Sequence, residues 1–351
     1  MTRSRSFIAT PPGETIKEQL ESRCMSQKEF ASRMGMSEKH ISKLINGDVQ
    51  LTQEVAYKLE MVLGIPARFW NNLEALYREK LAKVEAENEM EQDIELSKRF
   101  PYKEMAQFGW VPQSSDSKEK VIALRKFFET ITLDAVFSKG LSPRIACRRQ
   151  SVSDKSDYAL MAWAQEAKLE ARNIPVSPIN YKGLDSTLHS IRAMTVDDPE
   201  VFCPKLVSMM ADCGIALVFL PLLCGSYLHG ATFYDGKKIV IGLTVRGKDA
   251  DKFWFSLFHE VGHILLGHLN KWDDLSDDDE DAANVFARDN LISPSSYNEF
   301  TGMRDYSKSA IIAFANKEGL SPGIVVGRLQ KDGFIPFSRY HDLKTKYELT
   351  V

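Results

Sequence analysis

Residues 259–263 read His-Glu-Val-Gly-His, and this stretch decides how the second half of the chain folds. The apolar run Phe253–Phe258 precedes it, and more apolar residues follow it. This pattern predicts a long helix that begins near Lys252 and is buried on nearly all sides. Because an unpaired buried polar group is costly, the two histidines and the glutamate inside such a helix require partners.

The spacing of the two histidines indicates what their partner is. His259 and His263 stand four residues apart, so both imidazoles lie on one helix face and can bind a single Zn²⁺. Glu260 then reaches a water molecule at the metal as a general base. The motif also occurs by chance in helices, but the buried context favours zinc. We expect His259 and His263 as metal ligands and Glu260 as the catalytic residue.

The third metal ligand must come from elsewhere in the chain. The extended form of the motif requires Gly at position 266 and His at position 269, where this chain has Leu266 and Leu269. His268 falls on the opposite side of the helical wheel, where it is expected to cap the helix end or to support a ligand. The remaining option is a carboxylate from the acidic run Asp273–Asp281.

Helix geometry selects one of these acids. Ser276 and Asp279 have the spacing of a capping box, which predicts a helix that starts at about Asp277. Glu280 is therefore the expected third ligand. Asp277 is its geometric rival, although an acid in the first turn also suits the helix dipole. Small and apolar residues share the face of Glu280: Ala283, Ala287 and Leu291.

The region before this helix has the pattern of a small sheet. Apolar and β-branched runs at 215–220, 231–234 and 238–243 read as strands, with turns at Gly225–Ser226 and Asp235–Gly236. The order of helices, then strands, then helices predicts a helical N-terminal domain followed by an α+β domain.

The N-terminal part contains two short helices joined by a glycine turn. Ser26, with Glu29 completing a capping box, and Ser37 are the expected N-caps, and Gly35 separates the two helices. This arrangement predicts a helix-turn-helix, in which the second helix reads the major groove of DNA. A plain helical bundle with solvated lysines is the alternative. The candidate DNA-binding residues are Gln27, Ser37, Lys39, His40, Ser42 and Lys43.

The net charge and the cysteine content restrict how the protein can bind DNA, which metal sites it can contain and which compartment it occupies. The 45 basic and 48 acidic residues give a net charge of −3, so DNA can be bound only through a local patch. The stretch from Arg23 to Lys43 provides one, with five basic residues against two acidic ones. Five cysteines without C-x-x-C spacing argue against a disulfide framework and a cysteine metal site. Without a leader or membrane span, we expect a cytoplasmic protein.

Two family resemblances follow from these motifs. Residues 12–18, the two short helices, and Pro-Ala-Arg-Phe-Trp-Asn-Asn-Leu-Glu at 66–74 resemble the Xre-type helix-turn-helix of HigA antitoxins. That resemblance implies a homodimer that binds an operator and often represses its own operon. HigA antitoxins usually end soon after this segment, whereas here about 270 residues follow.

The second resemblance covers roughly Val201 to Pro294. His-Glu-Val-Gly-His-Ile-Leu-Leu-Gly-His at 259–268 and Glu-Asp-Ala-Ala-Asn at 280–284 look like the ImmA/IrrE family of zinc peptidases. The resemblance implies Zn²⁺ on His259, His263 and Glu280, and cleavage of transcriptional repressors. An acidic residue often precedes the Ala-Asn pair in this family, where the present chain has Ala282.

The sequence thus predicts a multidomain α and α+β protein. Residues 1–82 form an all-α Xre/HigA-like helix-turn-helix bundle, residues 83–200 a helical connector, and residues 201–351 a zincin-like α+β domain with a small sheet. The predicted function is a transcriptional regulator that binds a double-stranded DNA operator and carries a zinc metallopeptidase, which cleaves a repressor or partner protein. The alternative is an operator-binding antitoxin or autorepressor whose zinc domain senses a toxin or signal. No membrane partner is expected.

Overall fold

The computed structural model describes residues 2–4, 7–137, 154–224, 226, 229–244, 249–270 and 276–348. The chain divides into two compact units, Met1–Glu95 and Leu96–Val351. Most of the chain is helical, and a three-stranded sheet lies in the second unit. No helix within the described ranges is both long and apolar enough to cross a membrane.

The first unit is a bundle of short helices with a strand pair at its start. Strands of two residues are too short to leave a sequence pattern, and the pair β1–β2 was not expected. The elements are β1 (Thr2–Arg3), β2 (Ile8–Ala9), α1 (Pro12–Ser22), α2 (Gln27–Met34), α3 (Glu38–Asn46), α4 (Gln53–Leu63) and α5 (Ala67–Ser97).

The predicted helix-turn-helix is formed by α2 and α3. The hydroxyl of Ser26 accepts a hydrogen bond from the amide of Glu29, and Ser37 does the same for His40. Gly35 ends α2 and Gly47 ends α3, both in the left-handed conformation. These caps confirm the predicted starts of both helices and the predicted break at Gly35, because each depends only on residues within one turn.

Close packing of α1 on α3 requires a glycine. An added Cβ at Gly13 would lie 1.8 Å from the carbonyl oxygen of Ile45. The two backbones can therefore approach only because position 13 has no side chain. Ile16, Ile41 and Ile45 are fully or nearly fully buried beside this contact, in the core of the unit.

Helix α5 runs without a break across residue 82, where the sequence pattern places the boundary between the first domain and the connector. It contains neither glycine nor proline, so nothing in its backbone chemistry stops the helix. Residue 82, the predicted end of the first domain, lies inside it, and the predicted connector 83–200 is shared between the two units.

The second unit surrounds its sheet with helices. In chain order its elements are α6 (Tyr102–Gln107), α7 (Ser117–Phe127), α8 (Asp154–Arg172), α9 (Tyr181–Ala193), α10 (Pro199–Asp212), β3 (Ile215–Leu220), β4 (Gly230–Asp235), β5 (Lys238–Thr244), α11 (Ala250–Leu265), α12 (Asp277–Leu291), α13 (Pro294–Gly302), α14 (Lys308–Glu318) and α15 (Pro322–Lys331). Short 3-10 helices lie at Asp134–Phe137, Met194–Val196, His268–Asn270 and His341–Leu343.

The sheet has the strand order β3-β5-β4. β5 pairs in parallel with β3, with Ile215 opposite Ile239, and antiparallel with β4, with Asp235 opposite Lys238. The latter pair confirms the hairpin predicted at Asp235–Gly236. The turn predicted at Gly225–Ser226 falls partly on Gly225, which lies outside the described residues.

Alternate residues of each strand enter two different hydrophobic cores. In β3, Ala216 and Val218 join the core that contains α8, whereas Ile215 and Leu217 join the core that contains α11. Both faces of the sheet are therefore covered by helices, and β4 forms one edge of the sheet, beside α11.

Candidate metal centre and nucleic-acid interface

Helices α11 and α12 bring three candidate metal ligands together. His259 and His263 occupy successive turns of α11, and Glu280 lies in the first turn of α12. One donor atom from each of these residues lies within 4.8 Å of the other two. All three side chains are largely buried, with exposed fractions of 14%, 0% and 6%.

The distances between these donor atoms suit a tetrahedral ion. The two Nε2 atoms are 3.0 Å apart, and carboxylate oxygens of Glu280 lie 3.4 Å from Nε2 of His259 and 3.6 Å from Nε2 of His263. Ligands at the usual zinc bond length of about 2.0–2.1 Å in a tetrahedron are separated by roughly 3.3 Å. The two imidazoles and one carboxylate are also a ligand set that catalytic zinc sites use. The residues present therefore fit zinc.

The side chain of Glu260 extends from α11 to the edge strand β4. Its Oε2 accepts a hydrogen bond from the hydroxyl of Thr232 at 2.5 Å, and the side chain is 3% exposed. A Cβ at Gly230 would stand 2.9 Å from both Cγ and Oε1 of Glu260, so the strand approaches the carboxylate closely. Burial raises the pKa of Glu260 to about 7, against the lowering effects of His259 and Thr232.

The two histidines have opposite pKa shifts. Burial lowers the pKa of His263 to about 4, and the charge of neighbouring His259 acts in the same direction. Burial also acts to lower the pKa of His259, but the hydrogen bond to Glu280 and the charges of Glu260 and Glu280 outweigh it, so this pKa is raised. A neutral His263 has a lone pair available for a metal.

The capping box predicted for α12 is present. Ser276 accepts from the amide of Asp279, whose side chain accepts from the amide of Ser276, and the helix begins at Asp277. This start turns Glu280 inward beside Ala283 and Ala287, whereas Asp277 and Asp281 are exposed. Of the acidic run 273–281, residues 273–275 lie outside the described part of the chain.

Sequence reasoning missed one contact at this site, that of Thr232, and gave His268 a supporting role without its direction. Thr232 was not singled out, because strand pairing and not local sequence brings it to Glu260. The wheel placed His268 away from the metal face, but α11 ends at Leu265, and Gly267 adopts a left-handed conformation with φ +76°. The chain therefore turns back, and Nδ1 of His268 lies 2.9 Å from Nδ1 of His263.

The candidate DNA-binding residues lie on α3 and on the first residues of α2. Gln27, Lys39, Ser42 and Lys43 are exposed, and His40 is half-buried. The hydroxyl of Ser37, although exposed, accepts the capping hydrogen bond of α3. The exposed side chains of α3 lie on the side of the helix opposite its buried residues, which are Ile41, Leu44 and Ile45.

The arginines and lysines of the basic patch differ in their internal contacts. Arg23 donates to the carbonyl oxygen of Leu63, and Arg33 forms an ion pair with Glu29. Lys28, Lys39 and Lys43 have no ion-pair partner among the described residues. These lysines are therefore the cations of the patch that no ion pair engages within the described part of the chain, besides Arg23, whose charge the neutral carbonyl leaves intact.

Comparison with known proteins agrees with this geometry. The family described as Helix-turn-helix (HTH_3) matches residues 16–70, which include α2 and α3. The chain is 38% identical over 63 residues to the HTH-type transcriptional regulator YddM of Escherichia coli strain K12, a match that covers 18% of this chain and 67% of that protein. The chain therefore belongs to the helix-turn-helix family through its N-terminal unit. The similarity to YddM extends over the segment of 63 residues.

Proposed function

We propose that the protein is a DNA-binding transcriptional regulator with a zinc-dependent peptidase centre in its second unit. The observation that carries the peptidase part is the convergence of His259, His263 and Glu280 beside the buried carboxylate of Glu260. The DNA-binding part is supported by the helix-turn-helix match and by the exposed lysines of α3.

The proposed ligands are Nε2 of His259, Nε2 of His263 and the carboxylate of Glu280. Zinc held there would polarise a peptide carbonyl and acidify a water molecule. Three protein ligands leave a coordination position open for water or substrate, which is the arrangement of catalytic zinc sites rather than structural ones.

Glu260 is the proposed general base. Its pKa of about 7 allows its carboxylate to accept a proton from the attacking water near neutral pH and to return that proton to the departing amine. The hydroxyl of Thr232 fixes one carboxylate oxygen, and Gly230 leaves room for the other. A zinc site used only for sensing has no need of a carboxylate in this position.

In the first unit, Lys39 and Lys43 are the proposed contacts of α3 with an operator. Gln27 at the start of α2, together with His40 and Ser42, completes the proposed interface, and Ser37 serves it mainly by capping α3. Phosphate contacts of this kind orient the domain, whereas contacts to base edges in the major groove give sequence preference.

A homodimer is part of the proposal. Large apolar side chains are exposed on α4 and α5 of the first unit: Tyr57 (59%), Met61 (61%), Phe69 (44%) and Leu76 (55%). Helix-turn-helix dimers place two recognition helices on successive turns of DNA, and the operator then has matching half-sites. These side chains are the proposed dimer contacts.

The second candidate function is an operator-binding antitoxin or autorepressor in which the second unit senses a toxin or signal. The similarity to YddM favours it, because that protein is named as a transcriptional regulator and the shared segment is the helix-turn-helix. Under this alternative, zinc binding persists while peptide cleavage is marginal.

One experiment separates the two candidate functions. The purified full chain is analysed for zinc and incubated with each protein encoded beside its gene, and the products are identified by mass spectrometry. The proposed function predicts close to one zinc per chain and cleavage of one of these proteins, which a His263→Ala variant abolishes. Zinc without cleavage favours the sensing alternative, and absence of zinc contradicts both.

A further inference from the structure

A chain of three buried side chains begins at the proposed metal ligand His263 and continues to His268 and Asp279. Nδ1 of His263 lies 2.9 Å from Nδ1 of His268, and Nε2 of His268 lies 3.6 Å from Oδ1 of Asp279. Their exposed fractions are 0%, 7% and 7%. The chain of contacts begins on the ring nitrogen of His263 that faces away from Glu280 and His259.

Proton positions along this chain follow from its last member. The negative charge of an ionised carboxylate at 3.6 Å favours a proton on the nitrogen of His268 that faces Asp279. In a neutral imidazole, the other nitrogen, Nδ1, is then an acceptor. Nδ1 of His263 must therefore be the donor in the 2.9 Å contact, and its Nε2 is left with a lone pair.

We propose that His268 and Asp279 are positioning residues that hold His263 in the tautomer with its proton on Nδ1, which directs the Nε2 lone pair toward the proposed zinc. This inference rests on the proposed function only in naming zinc as the ligand. Histidines that bind metals commonly donate their other ring N–H to a partner, which fixes the orientation of the ring and the tautomer.

The other carboxylate oxygen of Asp279 belongs to the N-terminal cap of α12. Oδ2 accepts hydrogen bonds from the amide and hydroxyl of Ser276, at 3.2 Å and 2.9 Å, and so closes the capping box of α12. The next residue along the chain is Glu280. One carboxylate therefore both fixes the start of the helix that presents Glu280 and supports the ring of His263.

Substitution of His268 tests the proposal through zinc affinity. His268→Phe keeps a ring of similar size but removes the acceptor, and zinc affinity measured by competition with a chelating indicator should fall by about 10- to 100-fold. His268→Gln retains an acceptor for His263 and a donor for Asp279, so it should regain most of the affinity. Asp281→Ala is the matched control, because it removes an exposed carboxylate of α12 that lies outside this chain of contacts, and it should leave the affinity unchanged.

A measurement without metal tests the tautomer directly. Two-bond ¹H–¹⁵N correlation spectra of the histidine-labelled, metal-free full chain should show His263 protonated on Nδ1 in the wild type and in His268→Gln. His268→Phe should lose this preference.

The possible outcomes are distinguishable. An Nε2-protonated His263 in the metal-free wild type would overturn the proposal, as would a His268→Phe variant that binds zinc like the wild type. Loss of affinity in both His268 variants would also contradict it, because hydrogen bonding would then not be the property that matters. A wild type that binds no zinc contradicts the proposed function instead, and the spectra alone then decide the tautomer.

Discussion

Arg192 donates a hydrogen bond from Nε to the carbonyl oxygen of Leu291 at 2.7 Å, at the last residue of α12. Its Nη2 donates to Glu318 on α14 at 3.0 Å, and this ion pair is largely buried. The capping box sets where the other end of α12 begins. The C-terminal end of the helix that presents Glu280 is thus joined to α9, and through Arg192 to α14, by contacts that do not involve a metal.

The first prediction concerns the third ligand. Glu280→Ala should reduce bound zinc well below one per chain, because two imidazoles alone hold the ion weakly. Asp277→Ala and Asp281→Ala are matched controls, since both carboxylates are exposed on the same helix, and both variants should keep near-stoichiometric zinc. Atomic absorption on the three purified variants measures this. Loss of metal in the Asp277 variant alone would show that the assignment of Glu280 is wrong.

The second prediction separates chemistry from metal binding. Glu260→Gln keeps the size of the side chain and an acceptor for Thr232, but it removes the base. The zinc content should stay at the wild-type level while the cleavage rate falls by about 10²–10⁴-fold. Cleavage is followed by gel densitometry of the identified substrate. Turnover near the wild-type rate would exclude Glu260 as the general base.

The third prediction concerns DNA. The double substitution Lys39→Ala and Lys43→Ala should weaken binding to all DNA sequences and lower the salt dependence of the affinity by about one unit for each phosphate that a lysine no longer neutralises. The charge-matched control replaces Lys80 and Lys83 on α5. Fluorescence anisotropy over a salt series compares the two double variants, and equal behaviour would assign the DNA interface to another surface.

The fourth prediction follows from the contact of α1 with α3. Gly13→Ala places a methyl group against the carbonyl oxygen of Ile45, where the backbone must move, and should destabilise the first unit by ~1–3 kcal/mol. Faster hydrogen exchange in α1 and α3 would report this destabilisation. Gly302→Ala, which has open space around its Cβ, should be neutral or slightly stabilising. Unchanged exchange in the Gly13 variant would contradict the tight contact.

The fifth prediction is a pH dependence. Burial and the charge of Glu170 raise the pKa of Glu166 to about 7, well above that of an unfolded glutamate. Between pH 4.5 and about 7 the folded state binds this proton and the unfolded state does not, so the free energy of unfolding declines as the pH rises through this window. Glu166→Gln removes the decline. Its thermal midpoint should match the wild type at low pH and exceed it above pH 7, whereas a constant offset at all pH values would contradict the prediction.

Local chemistry explains which parts of the fold were predictable. The N-caps Ser26, Ser37 and Ser276 act within one turn of their helices, and a sequence pattern therefore identifies them. One local expectation was only half fulfilled. Ser26 caps α2, but the carboxylate of Glu29 pairs with Arg33 four residues later instead of closing a capping box. A charged partner on the same helix face competes with the backbone amide for that carboxylate.

The remaining features depend on contacts that are distant in sequence. Thr232 reaches Glu260 only because β4 is an edge strand beside α11, and no spacing rule connects positions 232 and 260. A supporting role was expected for His268, but its direction was not, because the wheel assumes a helix that continues, whereas α11 ends three residues earlier. Position 232 carries no signal that could be separated from ordinary strand sequence.

The capping box of α12 makes the centre sensitive to chain length. Three residues lie between Ser276 and Glu280, and each residue added between them would rotate the glutamate by about 100° around the helix axis. A residue added later in the helix would turn Ala287 and Leu291 off the buried face that they share with Glu280. Insertions are therefore expected to be harmful at every position from the cap at Ser276 to the end of the helix at Leu291, on one side of Glu280 through its direction and on the other through its packing.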